Sequence, residues 1–273
     1  MGTLTAFVNG VAVWAPRLPG WQIAAPVLRG EVAAPVQLAP RPAPTLLGPT
    51  ERRRAPDTVA IALEVAARSC ESAGADPKEL PSVFASTYGD LSISDYMSET
   101  LARTPALISP IRFHNSVHNA AAGYWTIGTG CCEPYTALTA GEDTFGEGLL
   151  EALTQAACGD RAVLLVAYDI EARGPLATMV SSRGILGAGV VVSPYPQVSS
   201  LARVRWRTRR GGERTVALDC NAELVAGNAM AACLPFLETI ARSERRTICV
   251  GLSPALSLEL DIDFPGAGHP DEG

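Results

Sequence analysis

Charge is scarce in this chain: only 18% of its 273 residues are Asp, Glu, Lys or Arg, against 47% that are apolar. That balance excludes large-scale disorder, because there is enough apolar surface for one large core or two fused layers. The net charge of −6 gives no basis for nucleic-acid binding. No apolar run approaches a membrane span. The opening MGTLTAFVNGVAVWAP lacks the basic start and continuous apolar stretch of a secretory signal. A cytoplasmic protein away from membranes is therefore expected. Seven cysteines (70, 131, 132, 158, 220, 233 and 249) are scattered, two of them adjacent and several inside apolar runs. Such spacing is not a disulfide framework and predicts buried, reduced thiols. There is no Cys-x-x-Cys, and no Gly-x-Ser-x-Gly elbow of a serine hydrolase. Histidines stand only at 114, 118 and 269. His114 and His118, four residues apart, could join Cys131 and Cys132 as metal ligands, but adjacent cysteines rarely chelate one tetrahedral ion. No metal and no other cofactor is expected.

Against these absences stands an organised stretch from His114 to Asp160. Asn119 to Ile127 reads as a helix of small residues, and Pro134 to Ala140 as a short apolar strand. Phe145 to Ala157 carries Leu149, Leu150, Leu153, Ala156 and Ala157 at helical spacing. Between strand and helix lies Gly141-Glu142-Asp143-Thr144. A strand-to-helix junction of this kind aims a side chain at the helix N-terminus, where unpaired N–H groups favour an anion or a thiolate.

Elsewhere, Ala6 to Val13 reads as a first strand, and Pro16 to Pro49 as a proline- and alanine-rich connector that resists regular helix. Arg52-Arg53-Arg54 leads into a helix from Asp57, which can cap it. Ser82 to Thr87 suits a buried parallel strand, and Ser92 to Ala102 a helix. Ile108 to Phe113 reads as extended. Ala162 to Val166 gives a buried strand and Tyr168-Asp169 a turn. Leu201 to Thr208 alternates Arg203, Arg205 and Arg207 with Val204, Trp206 and Thr208, and is expected to turn back into Thr215 to Leu218 as a hairpin.

The order Asn119-x-x-Ala122-Gly123, Gly130, Pro134, a Thr-Ala-rich strand, a helix closed by Gly159-Asp160 and the strand Ala162 to Val166 resembles the N-terminal half of the β-ketoacyl synthases in the thiolase-like superfamily. The resemblance implies an α/β fold with thiolase-like αβαβα layers and a truncated second half. It divides a single domain into an N-terminal half over residues 1–195, a shortened C-terminal half over 196–262 and a polar tail over 263–273, where His269 lies. In that family the junction carries a catalytic cysteine. Counting from Gly123, Pro134 and Gly159 puts Glu142 at that position, and a carboxylate cannot form the acyl thioester that condensation requires. Gly227 to Ala241 resembles the helix after the family's second catalytic histidine, and Ile248 to Leu260 its final hairpin. Both family histidines lack a counterpart here.

Family members without the cysteine include chain-length factors, which pair with an active ketosynthase in type II polyketide and aryl-polyene assembly. The resemblance thus implies a non-catalytic subunit in polyketide, aryl-polyene or fatty-acid-type biosynthesis, with an active β-ketoacyl synthase and an acyl carrier protein as partners. By position it implies tunnel or interface roles for Arg112, Phe113, His118, Pro134, Tyr135, Thr136, Ala137, Leu138 and Thr139. Arg203, Arg205 and Arg207 are candidates for contact with an acidic carrier. Two alternatives stay open: a decarboxylase of malonyl thioesters, and a homodimeric carrier-binding scaffold. Glu142 and Asp143 could do acid–base work, but neighbouring side chains diverge, and acids at a helix start are commonly dipole-compensating.

Overall fold

The computed structural model describes residues 3–180 and 182–265, so His269 and the tail over 266–273 lie outside the described residues. The elements in chain order are β1 (Leu4–Ala15), β2 (Leu18–Pro19), α1 (Trp21–Leu28), α2 (Pro49–Arg54), α3 (Asp57–Ala73), β3 (Ser82–Ala85), α4 (Leu91–Arg103), α5 (Pro110–His114) and α6 (Ala120–Thr129). There follow β4 (Tyr135–Leu138), α7 (Thr144–Gly159), β5 (Val163–Ile170), β6 (Ile185–Ser193), β7 (Ala202–Arg210), α8 (Asp219–Ala222), α9 (Leu234–Arg242), β8 (Arg246–Ser253) and β9 (Leu256–Asp263).

The strands form one sheet in the order β4-β3-β5-β6-β1-β7-β9-β8, with β2 paired to β1. Only β3 with β4 and β3 with β5 are parallel; the other pairings are antiparallel. β1 joins the two parts, pairing with β6 through Phe7 to Trp14 and with β7 through Leu4 to Val8. A register shift between Val8 and Gly10 marks the changeover.

Each face of the sheet carries its own apolar cluster. One contains Val59, Leu63 and Ala66 of α3 with Ala121, Ala122 and Trp125 of α6. The other gathers Leu149 and Leu153 of α7, Phe236 and Leu237 of α9 and the buried alternate residues of β8 and β9. α7 touches β3, β5 and β6 as well as β8, so one helix packs against both parts of the sheet. This contact is tight: a Cβ on Gly146 would lie 2.0 Å from the carbonyl oxygen of Gly251 in β8.

Several elements differ from expectation. The connector contains α1 despite Pro26, because burying Ala24, Ala25, Val27 and Leu28 outweighs one lost backbone bond. Arg52 to Arg54 close a separate short helix, α2. Pro56, not Asp57, precedes the first turn of α3, and Asp57 instead pairs with Arg41 at 2.6 Å. Residues 110–114 are helical rather than extended, since Pro110 is preset for a first helical position and the Ser109 hydroxyl accepts from the Arg112 N–H at 3.4 Å. Tyr168 and Asp169 do not turn; they are buried inside β5. β7 forms no hairpin with residues 215–218. Gly211 and Gly212, both at positive φ, redirect the chain across the open edge of β8, where Thr215 exchanges two hydrogen bonds of 2.9 Å with Cys249. The helix expected from Gly227 becomes regular at Leu234.

Candidate functional site

Three parallel strands, β4, β3 and β5, end side by side, and the loops leaving them build the site. At its centre is Asp169, a buried carboxylate that, among the described residues, has no cationic partner. It accepts from the Thr87 N–H at 2.8 Å, the Ser86 hydroxyl at 3.0 Å and the Tyr88 N–H at 3.2 Å. Burial pushes its pKa up despite these donors, which pull it down. Its structural effect is to fix the loop after β3. That loop in turn holds its neighbours: His118 Nε2 donates to the Ser86 carbonyl at 2.9 Å, because a carbonyl can only accept. The Thr139 hydroxyl donates to the Thr87 carbonyl at 2.9 Å, and the Thr87 hydroxyl to the Gly141 carbonyl at 3.3 Å.

The junction is thereby pinned from outside, and Thr144 pins it from within. Its hydroxyl donates to the Gly141 carbonyl at 2.7 Å and accepts from the Ala140 N–H at 3.0 Å. Residues 141–143 form one 3-10 turn before α7. Glu142 and Asp143 diverge. Glu142 is exposed and, among the described residues, makes no hydrogen bond or ion pair. Asp143 is 8% exposed and faces Arg214 at 2.8 Å. That pair lies flat against β8, since a Cβ on Gly251 would come within 2.2 Å of Asp143 Oδ1 and 2.7 Å of Arg214 Cζ.

Glu142 and Asp143 line an open cavity of roughly 770 Å³ together with the 214–217 segment, α8, the start of α9 and β8. Among the described residues no histidine lines it. Its one thiol, Cys249, has a pKa raised by burial and then by Glu259, the reverse of what a thiolate nucleophile needs. The arrangement has space beside a helix start but holds no activated nucleophile.

The other expected site residues fall into three places. Arg112 stacks its guanidinium 3.9 Å from the Tyr96 ring centroid, and Phe113 beside it is 60% exposed. Tyr135, Thr136, Ala137 and Leu138 form β4, which among the described residues pairs only with β3, while Pro134 and Thr139 lie just beyond its ends. Asn119 ties α6 to this edge by donating to the Tyr135 hydroxyl at 2.9 Å. Thr136 accepts from Gln155 at 3.0 Å. Far along the sheet, Arg203 pairs with Asp263 at 2.6 Å, Arg205 with Asp261, and Arg207 with Glu259. These arginines form a ladder across β7 and β9, and a carrier would compete with its carboxylates. Nothing in the sequence marks Asp169, Arg214 or Ser86 as site residues. Asp169 follows an apolar run with no marker other than the unusual acid itself.

The profile of "Beta-ketoacyl synthase, N-terminal domain" matches residues 29–246, and the chain belongs to that family. No curated protein matches the sequence significantly. Among solved structures, the chain is similar to a ketosynthase (ApeO) in complex with its chain length factor (ApeC) from Xenorhabdus doucetiae. The identity is 20% and the TM-score 0.71, covering 94% of this chain and 99% of that one. It is also similar to the ishigamide ketosynthase/chain length factor, at 17% identity and a TM-score of 0.69, over 96% of this chain and 100% of the other. A third similarity, at 8% identity and a TM-score of 0.73, is to AntDE:AntF, a type II polyketide synthase carrier protein with its ketosynthase, over 96% of this chain and 100% of the other. The fold is thus the thiolase-like ketosynthase fold. Among the described residues no helix is long and apolar enough to cross a membrane.

Proposed function

We propose that this chain is a non-condensing, chain-length-factor-type subunit that pairs with an active β-ketoacyl synthase and shapes its acyl tunnel. The system would be of the polyketide, aryl-polyene or fatty-acid type, and an acyl carrier protein would bring the growing chain. One observation carries the reading: the junction that would bear the nucleophile presents an exposed glutamate to a cavity that, among the described residues, holds no histidine and no activated thiol. A carboxylate resting at a helix start is stable there, but it forms no thioester. The chain length factors named with ApeO and in the ishigamide structure support the pairing.

The open side of β4 and the nearby apolar side chains suit a partner surface. Phe113 and Val117 are exposed, and Ile127 is 84% exposed. Exposed apolar clusters beside an unpaired strand edge are what association covers. Co-expression with a ketosynthase that carries the complete Cys-His-His set should yield a stable complex by size exclusion. The purified chain, incubated with malonyl- or acyl-carrier protein, should show no acyl adduct by intact mass. A homodimer that ignores every such ketosynthase would favour the scaffold alternative. An adduct, or malonyl decarboxylation by the chain alone, would overturn the non-catalytic assignment.

A further inference from the structure

The open edge of β4 is backed by two carboxylates on α7. Gly148 sits where α7 meets β3, since an added Cβ would lie 2.9 Å from that of Ala85. Glu147 and Glu151 flank this contact, and both are half-buried. Glu151 reaches β4: its Oε1 accepts from Gln155 Nε2 at 2.8 Å and stands 3.5 Å from the Thr136 hydroxyl, which accepts from the same nitrogen at 3.0 Å. Among the described residues neither glutamate has a cationic partner. Burial, and then Asp143 and Glu151, push the Glu147 carboxyl up. Glu147 and Glu151, four residues apart on one helix, also repel each other.

These acids bear on what can pair with β4. A second copy of this chain would add its own β4 through a two-fold axis normal to the sheet, which keeps α7 on the same face in both copies. Opposite residues of an antiparallel pair share a face, so the axis passes through a residue, and the greatest overlap of the four-residue strand puts it at Thr136 or Ala137. Thr136 then lies roughly 5 to 8 Å from its own copy. Each Thr136 brings its Glu151 along, so the glutamates of both copies gather at one seam within about a Debye length. We infer that Glu151, with Glu147 beside it, bars β4 from pairing with its own copy and selects a partner subunit that presents an arginine or lysine to this seam. This rests on the proposed pairing and adds the chemistry that the partner must bring.

Sedimentation of the full chain tests the first half. Glu147→Gln with Glu151→Gln should self-associate at least about tenfold more tightly than the wild type. Added salt should strengthen self-association of the wild type but not of this variant. Glu64→Gln with Glu71→Gln, on α3 beside β1, removes the same charge away from β4 and should leave self-association unchanged. With a ketosynthase the sign reverses: salt should weaken the wild-type pair, and Glu151→Gln should loosen it about fivefold or more, through loss of a partly desolvated charge pair. If circular dichroism shows a variant unfolded, the opposite salt responses of wild-type self-association and wild-type pairing decide the matter. A double variant no tighter than the wild type, a control equally tight, or a ketosynthase pair indifferent to salt and to Glu151→Gln would each overturn the inference. If no ketosynthase binds, the proposed pairing falls, while the self-association arm still decides whether β4 is barred from its copy.

Discussion

Replacing Gly146 with alanine places two opposing effects in direct competition. In an isolated helix the change would be favourable by about 1 kcal/mol, because alanine loses less backbone freedom. Here the first turn of α7 lies against β8, and the added Cβ would sit 2.0 Å from the Gly251 carbonyl oxygen and 3.1 Å from Val250 Cγ1. Side-chain carbons essentially never approach closer than 3.0 Å, so α7 and β8 must separate by about 1 Å. Neither obstacle is a flexible tip: the nearer one is backbone held in the sheet. Overpacking of this kind costs about 1–3 kcal/mol. The separation also disturbs Asp143 and Arg214, which lie on the same glycine. A net loss of about 1 kcal/mol is expected, equivalent to about 2–4 °C in Tm for a chain of this size. Urea denaturation followed by circular dichroism measures it. Gly123→Ala in α6 is the control, since nothing lies within 4 Å of its added Cβ. It should stabilise the isolated chain by up to about 1 kcal/mol. If Gly146→Ala matches or exceeds the wild type while Gly123→Ala behaves as expected, the close contact between α7 and β8 is not what holds the two parts together.

In the reconstituted pair, Phe113→Ala should lengthen the products, because a packing boundary responds to lost volume; an intact complex with unchanged products would remove Phe113 from that role. Glu142→Ala should leave the condensation rate within a few-fold, and loss of turnover without dissociation would assign chemistry to the carboxylate. Arg205→Glu faces Asp261 across the ladder. It replaces a half-buried ion pair with two facing carboxylates and should lower stability by about 1 kcal/mol or more, and a carrier role for this face requires in addition a loss of carrier-dependent turnover. The raised pKa of Asp169 fixes a pH signature: between the ordinary value of 3.8 and the higher folded value, the folded chain holds more protons than the unfolded one. Its contribution to stability therefore falls as pH rises through that window and is level above it. Asp169→Asn should remove this slope in denaturation series run from about pH 4 to about pH 7, and an identical slope in both proteins would mean that the carboxylate does not titrate there.

What was legible in the sequence follows from how local each signal is. The central block could be read because α6, β4 and α7 declare themselves by apolar periodicity and by the landmarks Gly123, Pro134 and Gly159. The divergence of Glu142 from Asp143 followed from adjacency alone. By contrast, α5 was hidden because Ser-Pro opens a helix or an extended segment equally well, and α1 because prolines mask burial against α9. The missing hairpin after β7 is a tertiary effect: Arg205 and its neighbours find their carboxylates on β9, some fifty residues later, which no local pattern announces. The role of Asp169 was equally hidden, since a buried acid is identified by the loop that wraps it, and that loop lies about eighty residues earlier.

The shared strand β1 has a consequence for the order in which the protein is made. Its residues pair with Trp14 opposite Gly187, Phe7 opposite Ser193 and Leu4 opposite Trp206. Apart from its short pairing with β2 at Trp14 and Ala15, β1 is synthesised long before the strands that flank it and waits for them. Contacts of such sequence separation form slowly, and exposed strand edges associate while they wait. Nascent chains arrested before β6 should remain protease-sensitive at β1, and those extending past β7 should protect it.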